Sequence, residues 1–223
     1  LHDALPISYR DAMSHLARHA LVYPSDLTRT QIESAASAPQ EGAHEIPFPS
    51  SLRPPVEARS FDGEETNWRF VTPPGAVAFT DHVAGPQSHD PGATVGDFIL
   101  WTKRAQPSYQ LAVVVDDHRQ GITHIVRGDD LLDSAARQLL LYRALNFAPQ
   151  PSYFHLPLVK GEDGKRLAKR HGDTRLDSYR AQGVTPNRVI GLLASWCGIT
   201  TPESRQPMSA TAFRQRLSLL TIP

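Results

Sequence analysis

The chain has 223 residues, 40% of them hydrophobic, with 23 Lys and Arg balanced by 23 Asp and Glu, so its formal net charge is zero. That balance excludes nucleic-acid binding driven by global charge and leaves any such partner to a local basic face. The single cysteine, Cys197, excludes an internal disulfide and a cysteine-based zinc site. No apolar stretch approaches the ~18 residues of a membrane span, and a cytoplasmic location is expected by default.

The chain opens on Leu1, not methionine, and residues 1–8 follow no helix or strand pattern leading into what comes next. They are expected to be a non-native leader fused to a gene fragment. From Tyr9 to Val22 the residues Tyr9, Met13, Leu16, Ala17, Ala20 and Leu21 share one helical face, and Tyr23-Pro24 is expected to end the helix. Thr28 and Gln31 have capping-box spacing for a short helix to about Ser37. Residues 38–60, rich in proline and polar residues without period, read as loop.

Short β segments follow at Trp68–Val71, Val77–Val83 and Asp97–Trp101, separated by Pro73-Pro74-Gly75 and a Gly/Pro/Asp stretch from Gly85 to Gly96. They suggest one small sheet inserted in a larger domain. Leu111–Val115 is apolar throughout, which fits a buried strand or a buried helix equally. Ile122–Arg127 reads as a strand, Ala135–Leu145 as a helix capped by Asp133 or Ser134, and Tyr153–Val159 as a strand. This βαβ order implies a parallel sheet with a right-handed crossover, and ligands gather at the carboxyl ends of such strands. Arg127 and the segment after Val159 both lie near those ends. Arg175–Ala181, a helix from Pro186 to about Trp196 and an amphipathic helix from Ser209 to Leu219 complete the chain. The second of these is apolar on most faces and is expected to be buried, with Cys197 as a small core residue.

Residues 164–173 place Lys165, Arg166, Lys169 and Arg170 together between glycines, interrupted only by Leu167 and Ala168. Mutual repulsion disfavours that grouping unless a polyanion offsets it; the plain alternative is a solvated basic turn. Arg166-Leu167-Ala168-Lys169-Arg170 resembles the second ATP signature of class I aminoacyl-tRNA synthetases in the form used by their glutamyl branch. Three further blocks match that branch in order: Tyr109 to Asp117, Gly121 to Asp130, and His155 to Leu158. Arg137, Gln138 and the run to Tyr142 sit where the family has a helix leaving the active site.

The resemblance implies an α/β fold: the second half of a Rossmann-like parallel-sheet domain, with an inserted small α/β subdomain and a short C-terminal helical region. In these terms residues 9–22 are a helix of the incomplete catalytic domain, and 23–100 an inserted acceptor-binding-like subdomain. Residues 101–160 are the second Rossmann-like half, and 161–223 the ATP-signature loop and helical region. The resemblance also implies a helix over Leu111–Val115 and a monomeric, ATP-dependent ligase acting on L-glutamate. Magnesium arrives with ATP, and the signature residues 166–170 bind the nucleotide.

Lys169 is the main catalytic cation with Arg170 assisting, because pyrophosphate departure builds negative charge that placed cations stabilise. Arg127 matches an arginine that holds the amino acid, and a guanidinium suits this by gripping a carboxylate with two parallel bonds. The alternative for Arg127 is a structural pair with Asp129 or Asp130. Tyr109 matches a tyrosine lining the same site, the alternative being a core tyrosine. Asp116-Asp117 is not expected to hold a metal, since adjacent carboxylates point apart or only partly together. His155 reads as a satisfied core or wall histidine, and His171 flanks the basic loop.

Within the branch, the chain runs on too briefly after Arg170 for a large anticodon-binding domain. This favours the short members, which transfer glutamate to queuosine at the wobble position of tRNA(Asp). A fragment of an enzyme charging tRNA(Glu) and a non-catalytic tRNA-binding paralogue stay open. The branch's first ATP signature and its neighbouring glutamate-contacting arginine strand are absent, so an amino-terminal truncation is expected, with impaired glutamate activation. The short members commonly carry a Cys-x-Cys zinc knuckle after a Tyr-Pro pair. Here Tyr23-Pro24 is followed by Ser25, Asp26 and Leu27, and no zinc is expected.

Overall fold

The computed structural model describes residues 4–36, 46–62, 65–158, 160, 175–201 and 206–217. They fall into two compact units, Leu1–Leu156 and Pro157–Pro223.

The first unit opens with helix α1 (Ala4–Arg18). The absence of any helical pattern before Tyr9 is thus corrected: residues 4–8 belong to the helix. It also ends sooner than its apolar spacing suggests. Ala20 takes a left-handed φ of 56°, Leu21 donates back to the Leu16 carbonyl at 2.9 Å, and Val22–Pro24 form strand β1. Pro24 is tolerated there because β1 lies at a sheet edge. Helix α2 (Arg29–Ala35) carries the expected capping box, with Thr28 accepting from the Gln31 N–H and the Gln31 side chain accepting from the Thr28 N–H at 2.8 Å.

Strands β2 (Trp68–Phe70), β3 (Val77–Asp81), β4 (Gly85–His89), β5 (Ile99–Thr102) and β6 (Gln106–Pro107) follow, with the short helix α3 (Pro91–Thr94) between β4 and β5. One small sheet across these segments was the expectation, and the topology corrects it. β1, β2, β5 and β6 make one antiparallel sheet, while β3 and β4 belong to a second. The separator stretch is itself partly strand. Gly85–His89 has no β-forming composition, yet its backbone pairs with all of β3 in antiparallel register, from Val77↔His89 to Asp81↔Gly85.

Helix α4 (Tyr109–Arg119) resolves the ambiguous apolar run as helix, because Leu111, Val114 and Val115 recur at helical spacing on one buried face. Strand β7 (His124–Gly128), helix α5 (Leu132–Ala144) and strand β8 (Ser152–Leu156) form the anticipated βαβ unit, with β7 and β8 parallel. The cap expected from Asp133 or Ser134 is not made. A 3-10 turn at Asp129–Leu131 feeds directly into α5, and Leu131 holds the cap position without a side-chain bond. The second sheet runs β4-β3-β8-β7, with β3 parallel to β8.

The core of this unit draws on Met13 and Leu16 of α1, Trp68 and Phe70 of β2, Leu100 and Trp101 of β5, and Leu139 to Tyr142 of α5. Each such side chain contributes roughly 1.5–3 kcal/mol by leaving water.

In the second unit lie α6 (Leu176–Ala181), α7 (Pro186–Trp196) and α8 (Ala210–Leu217). Pro186 occupies the first turn of α7 as expected. The expectation of a buried α7 is corrected: it is amphipathic, burying Gly191 and Ala194 while Leu193 is 40% and Trp196 54% exposed. Gly191 lies against the backbone at Gln206, where a Cβ would overlap the carbonyl oxygen. Cys197, expected in the core, is exposed, because it falls just past the end of α7 on the solvent side.

Candidate active site

Of three parallel strands, β7 and β8 end together at Gly128 and Leu156, while β3 ends at Asp81, in register with Tyr153 near the start of β8. Alternation along β8 turns Tyr153 and His155 inward, 2% and 1% exposed, and leaves Leu156 outward. On β7 the same alternation puts Arg127 on the inward side and Val126, 62% exposed, on the other. Arg127 stands directly opposite His155 in the parallel register, and Asp81 opposite Tyr153.

That register produces a line of polar contacts across the strand ends. The Asp81 carboxylate lies 2.6 Å from His155 Nδ1, and Arg127 Nε donates to His155 Nε2 at 2.9 Å. A guanidinium N–H only donates, so Nε2 must accept, which fixes the imidazole as the Nδ1–H tautomer donating to Asp81. Asp81 also accepts from the backbone N–H groups of Val83 at 2.9 Å, Ala84 at 2.8 Å and His155 at 3.2 Å. Burial alone would raise the Asp81 carboxyl. The Ala84 N–H, the His155 side chain and the other backbone donors favour its charged form more strongly, and hold it at about 2.

Arg127 is further tied by Nη2 to the Leu131 carbonyl at 3.3 Å, and its guanidinium carbon sits 5.5 Å from the centre of the Tyr153 ring. The bonds through Nε and Nη2 keep the plane of the group fixed. They leave its Nη end as the edge suited to two parallel bonds with a carboxylate. The Tyr153 hydroxyl is held strongly protonated by its burial, with the Arg127 charge partly opposing. Asp117, on α4, has its carboxyl raised by burial, again with Arg127 opposing. The alternative of Arg127 as a mate for Asp129 or Asp130 gives way to His155 and Leu131 as its hydrogen-bond partners.

Tyr109 begins α4 and is 52% exposed, which removes the core-tyrosine alternative. It stands on the wall of a wide groove of about 1140 Å³, together with Arg69, Lys103, Asp130, Ser134 and Arg137. Arg127 is not on that wall; it reaches it only through Leu131, which is. The starts of α4 and α5 are joined beneath the groove by Gln110, which donates to Ser134 Oγ at 3.2 Å and accepts from Gln138 at 2.9 Å. Arg69 is buried, donates to the Asp97 carbonyl at 2.6 Å and lies over the Phe48 ring.

Arg166, Leu167, Ala168, Lys169 and Arg170, with His171, lie outside the described residues. Asp116 is occupied structurally, accepting from the Tyr9 hydroxyl at 2.7 Å, and His118 stacks on Phe147. Of the two expectations for His155, a satisfied core or wall histidine, the buried one holds: it is 1% exposed and bonded at both ring nitrogens. Asp81 is the residue sequence reasoning passed over. The one local signal was a carboxylate ending an apolar strand, and its partner is 74 positions away.

Residues 8–219 match the family model described as tRNA synthetases class I (E and Q), catalytic domain. The chain is 47% identical over 205 residues to the glutamyl-Q tRNA(Asp) synthetase of Symbiobacterium thermophilum, covering 89% of this chain and 63% of that protein. It is 40% identical over 220 residues to the Rhodopirellula baltica protein of the same name, covering 93% and 66%. For the one from Geobacter sulfurreducens the identity is 44% over 192 residues, covering 84% and 58%. The chain therefore spans roughly three-fifths of the length of these curated relatives. Among solved structures, glutamate-tRNA synthetase from Elizabethkingia anophelis superposes with a TM-score of 0.71 at 22% identity, over 97% of this chain and 49% of that one. This is a likeness of fold.

Proposed function

The chain belongs to the class I tRNA synthetases of the E and Q type, and from that membership we propose that it is the greater part of a ligase joining glutamate to queuosine at the wobble position of tRNA(Asp), with ATP as the energy source. The observation that carries this reading is the run of relatives at 37–47% identity bearing the name glutamyl-Q tRNA(Asp) synthetase.

In the first step the α-carboxylate of glutamate attacks the α-phosphorus of ATP and pyrophosphate leaves. In the second the activated glutamyl group passes to the modified base and AMP is released. Arg127 takes the side-chain carboxylate. A carboxylate held by a guanidinium is a poor nucleophile, so the α-carboxylate must stay outside that grip. Charge pairing at Arg127 also distinguishes glutamate from glutamine, whose amide offers no charge. Tyr109, on the groove wall that Arg127 meets through the Leu131 carbonyl, is assigned to the same amino-acid site by the family resemblance. Arg166 to Arg170 form the ATP-binding segment, with Lys169 and Arg170 facing the charge that builds on the departing phosphates. Magnesium accompanies the triphosphate as its counter-ion.

Glutamate-dependent exchange of pyrophosphate into ATP tests the first step, and transfer of labelled glutamate to queuosine-containing tRNA(Asp) tests the second. In the protein restored to the full length of its relatives, Lys169→Ala should lower exchange by about 10²–10³-fold with the melting temperature unchanged. Transfer to tRNA(Glu) in place of tRNA(Asp) would reassign the acceptor, and unchanged exchange in the variant would remove Lys169 from the site.

A further inference from the structure

We infer that Asp81 and His155 are positioning residues for substrate recognition: a buried carboxylate–imidazole pair that aims the Arg127 guanidinium at the incoming carboxylate. This rests on the role given to Arg127 above and extends it to two side chains that do not touch the substrate.

Three observations carry it. First, the line Asp81–His155–Arg127 crosses three adjacent parallel strands: Arg127 of β7 is in register with His155 of β8, and Asp81, the last residue of β3, is in register with Tyr153, two residues before His155. Second, the polarity runs one way. Arg127 Nε only donates, His155 Nε2 must therefore accept, and His155 Nδ1–H must point at Asp81. A charged carboxylate at that end both fixes this tautomer and makes Nε2 a stronger acceptor, the arrangement used to orient ligating or catalytic imidazoles elsewhere. Third, the Asp81–His155 pair is fully buried, with both side chains 0% exposed, while Arg127 is only partly so. Asp81 and His155 are thus the inner end of the line, and Arg127 is its less buried end.

Holding Nε also selects how the guanidinium is used. A side-on grip through Nε and Nη2 is denied to a ligand, and an end-on grip through the two Nη groups is offered. Without the His155 acceptor, Arg127 keeps its charge but loses the contact that sets its plane.

The experiment is steady-state pyrophosphate exchange on the full-length enzyme, with glutamate and ATP varied separately. His155→Asn keeps a donor near Asp81 and removes the acceptor for Arg127. His155→Gln puts an amide oxygen near the former Nε2 position. His155→Asn should raise KM for glutamate about tenfold or more, in keeping with loss of a hydrogen bond to a charged group, while KM for ATP holds. His155→Gln should recover most of that loss. In an Arg127→Ala background, His155→Asn should add less than about twofold, because both variants remove one function.

If Arg127→Ala raises KM for glutamate and His155→Asn does not, or if their losses simply multiply, the positioning role is wrong while the reading of Arg127 stands. If Arg127→Ala leaves KM for glutamate unchanged, that reading falls and the inference with it. A measurement on the unmutated enzyme guards against variants that fail to fold: ¹⁵N spectra of its histidines should show His155 protonated at Nδ1 and bare at Nε2. A proton on Nε2 overturns the proposal.

Discussion

Asp81 lies at the junction of fold and site, and its electrostatics give a sign that can be worked out. Its carboxyl is held at about 2, below the ordinary aspartate value of 3.8. A group depressed on folding adds stability above its unfolded value and loses it as pH falls through the folded one. The contribution is therefore whole at pH 5 and above and fades between about pH 4 and pH 2. The gap corresponds to about 2 kcal/mol. Asp81→Asn should lower stability to urea by about that amount at pH 7 and converge on the unmutated protein near pH 2. A difference that stays constant with pH would mean that Asp81 acts through shape alone. The Tyr9 hydroxyl shows the opposite sign: burial first, then Asp116, push it up to about 12. Its contribution is complete below about pH 10 and is lost as pH rises through 12.

Between residue and fold, the segment that includes Phe48 and Arg53 is fastened beside the first sheet at Gly96 and Asp97. Gly96 has a φ of +69°, and a Cβ there would overlap the Phe48 carbonyl, while Phe48 N–H donates to the Val95 carbonyl at 2.8 Å. The next residue, Asp97, is buried and accepts from Arg53 Nε and Nη2 at 2.6 Å each, from the Tyr23 hydroxyl at 2.7 Å and from the Thr72 N–H at 2.9 Å. Gly96→Ala brings both a clash and a strained backbone, and should cost about 2 kcal/mol or more, read as a fall in melting temperature. Unchanged melting would show that the Phe48 segment shifts freely.

Such elements also show what was legible. A capping box marked α2 and apolar patterning marked α5 and the βαβ unit, because those signals are local, though the cap expected for α5 is not the one used. β4 was not legible: Gly85, Pro86 and Ser88 disfavour strands, and only pairing along β3 makes them one. Nor was the division of the β segments between two sheets, since β3 pairs with β8 about 70 residues on. At the site, Arg127 was marked by its position after an apolar strand and by resemblance. Asp81 was hidden because its role exists only once β3 and β8 lie side by side.

Across the whole chain, burial is unevenly distributed. The contiguous apolar core runs from Ala12 to Tyr153, entirely within the first unit. It includes five aromatic residues exposed by 2% or less, Trp68, Phe70, Trp101, Tyr142 and Tyr153. A domain of that size ordinarily buries enough apolar surface to fold alone. The second unit shows little of this among its described residues, where Ala194 and Met208 are the buried apolar side chains and Trp196 is half exposed. Stability of the first unit should thus not depend on the second. A polypeptide ending at Leu156 should keep a cooperative thermal transition with near-UV circular dichroism from its packed tryptophans. Leu141→Ala in that fragment, at a site 0% exposed, should cost about 2–5 kcal/mol. Ended at the same residue, the protein restored upstream to the length of its relatives should fail to exchange pyrophosphate, since it carries Arg127 and Tyr109 but not Lys169. A fragment that melts without cooperativity would show that residues after Leu156 complete the core, and one that still exchanges pyrophosphate would show that the basic segment at 165–170 is dispensable for activation.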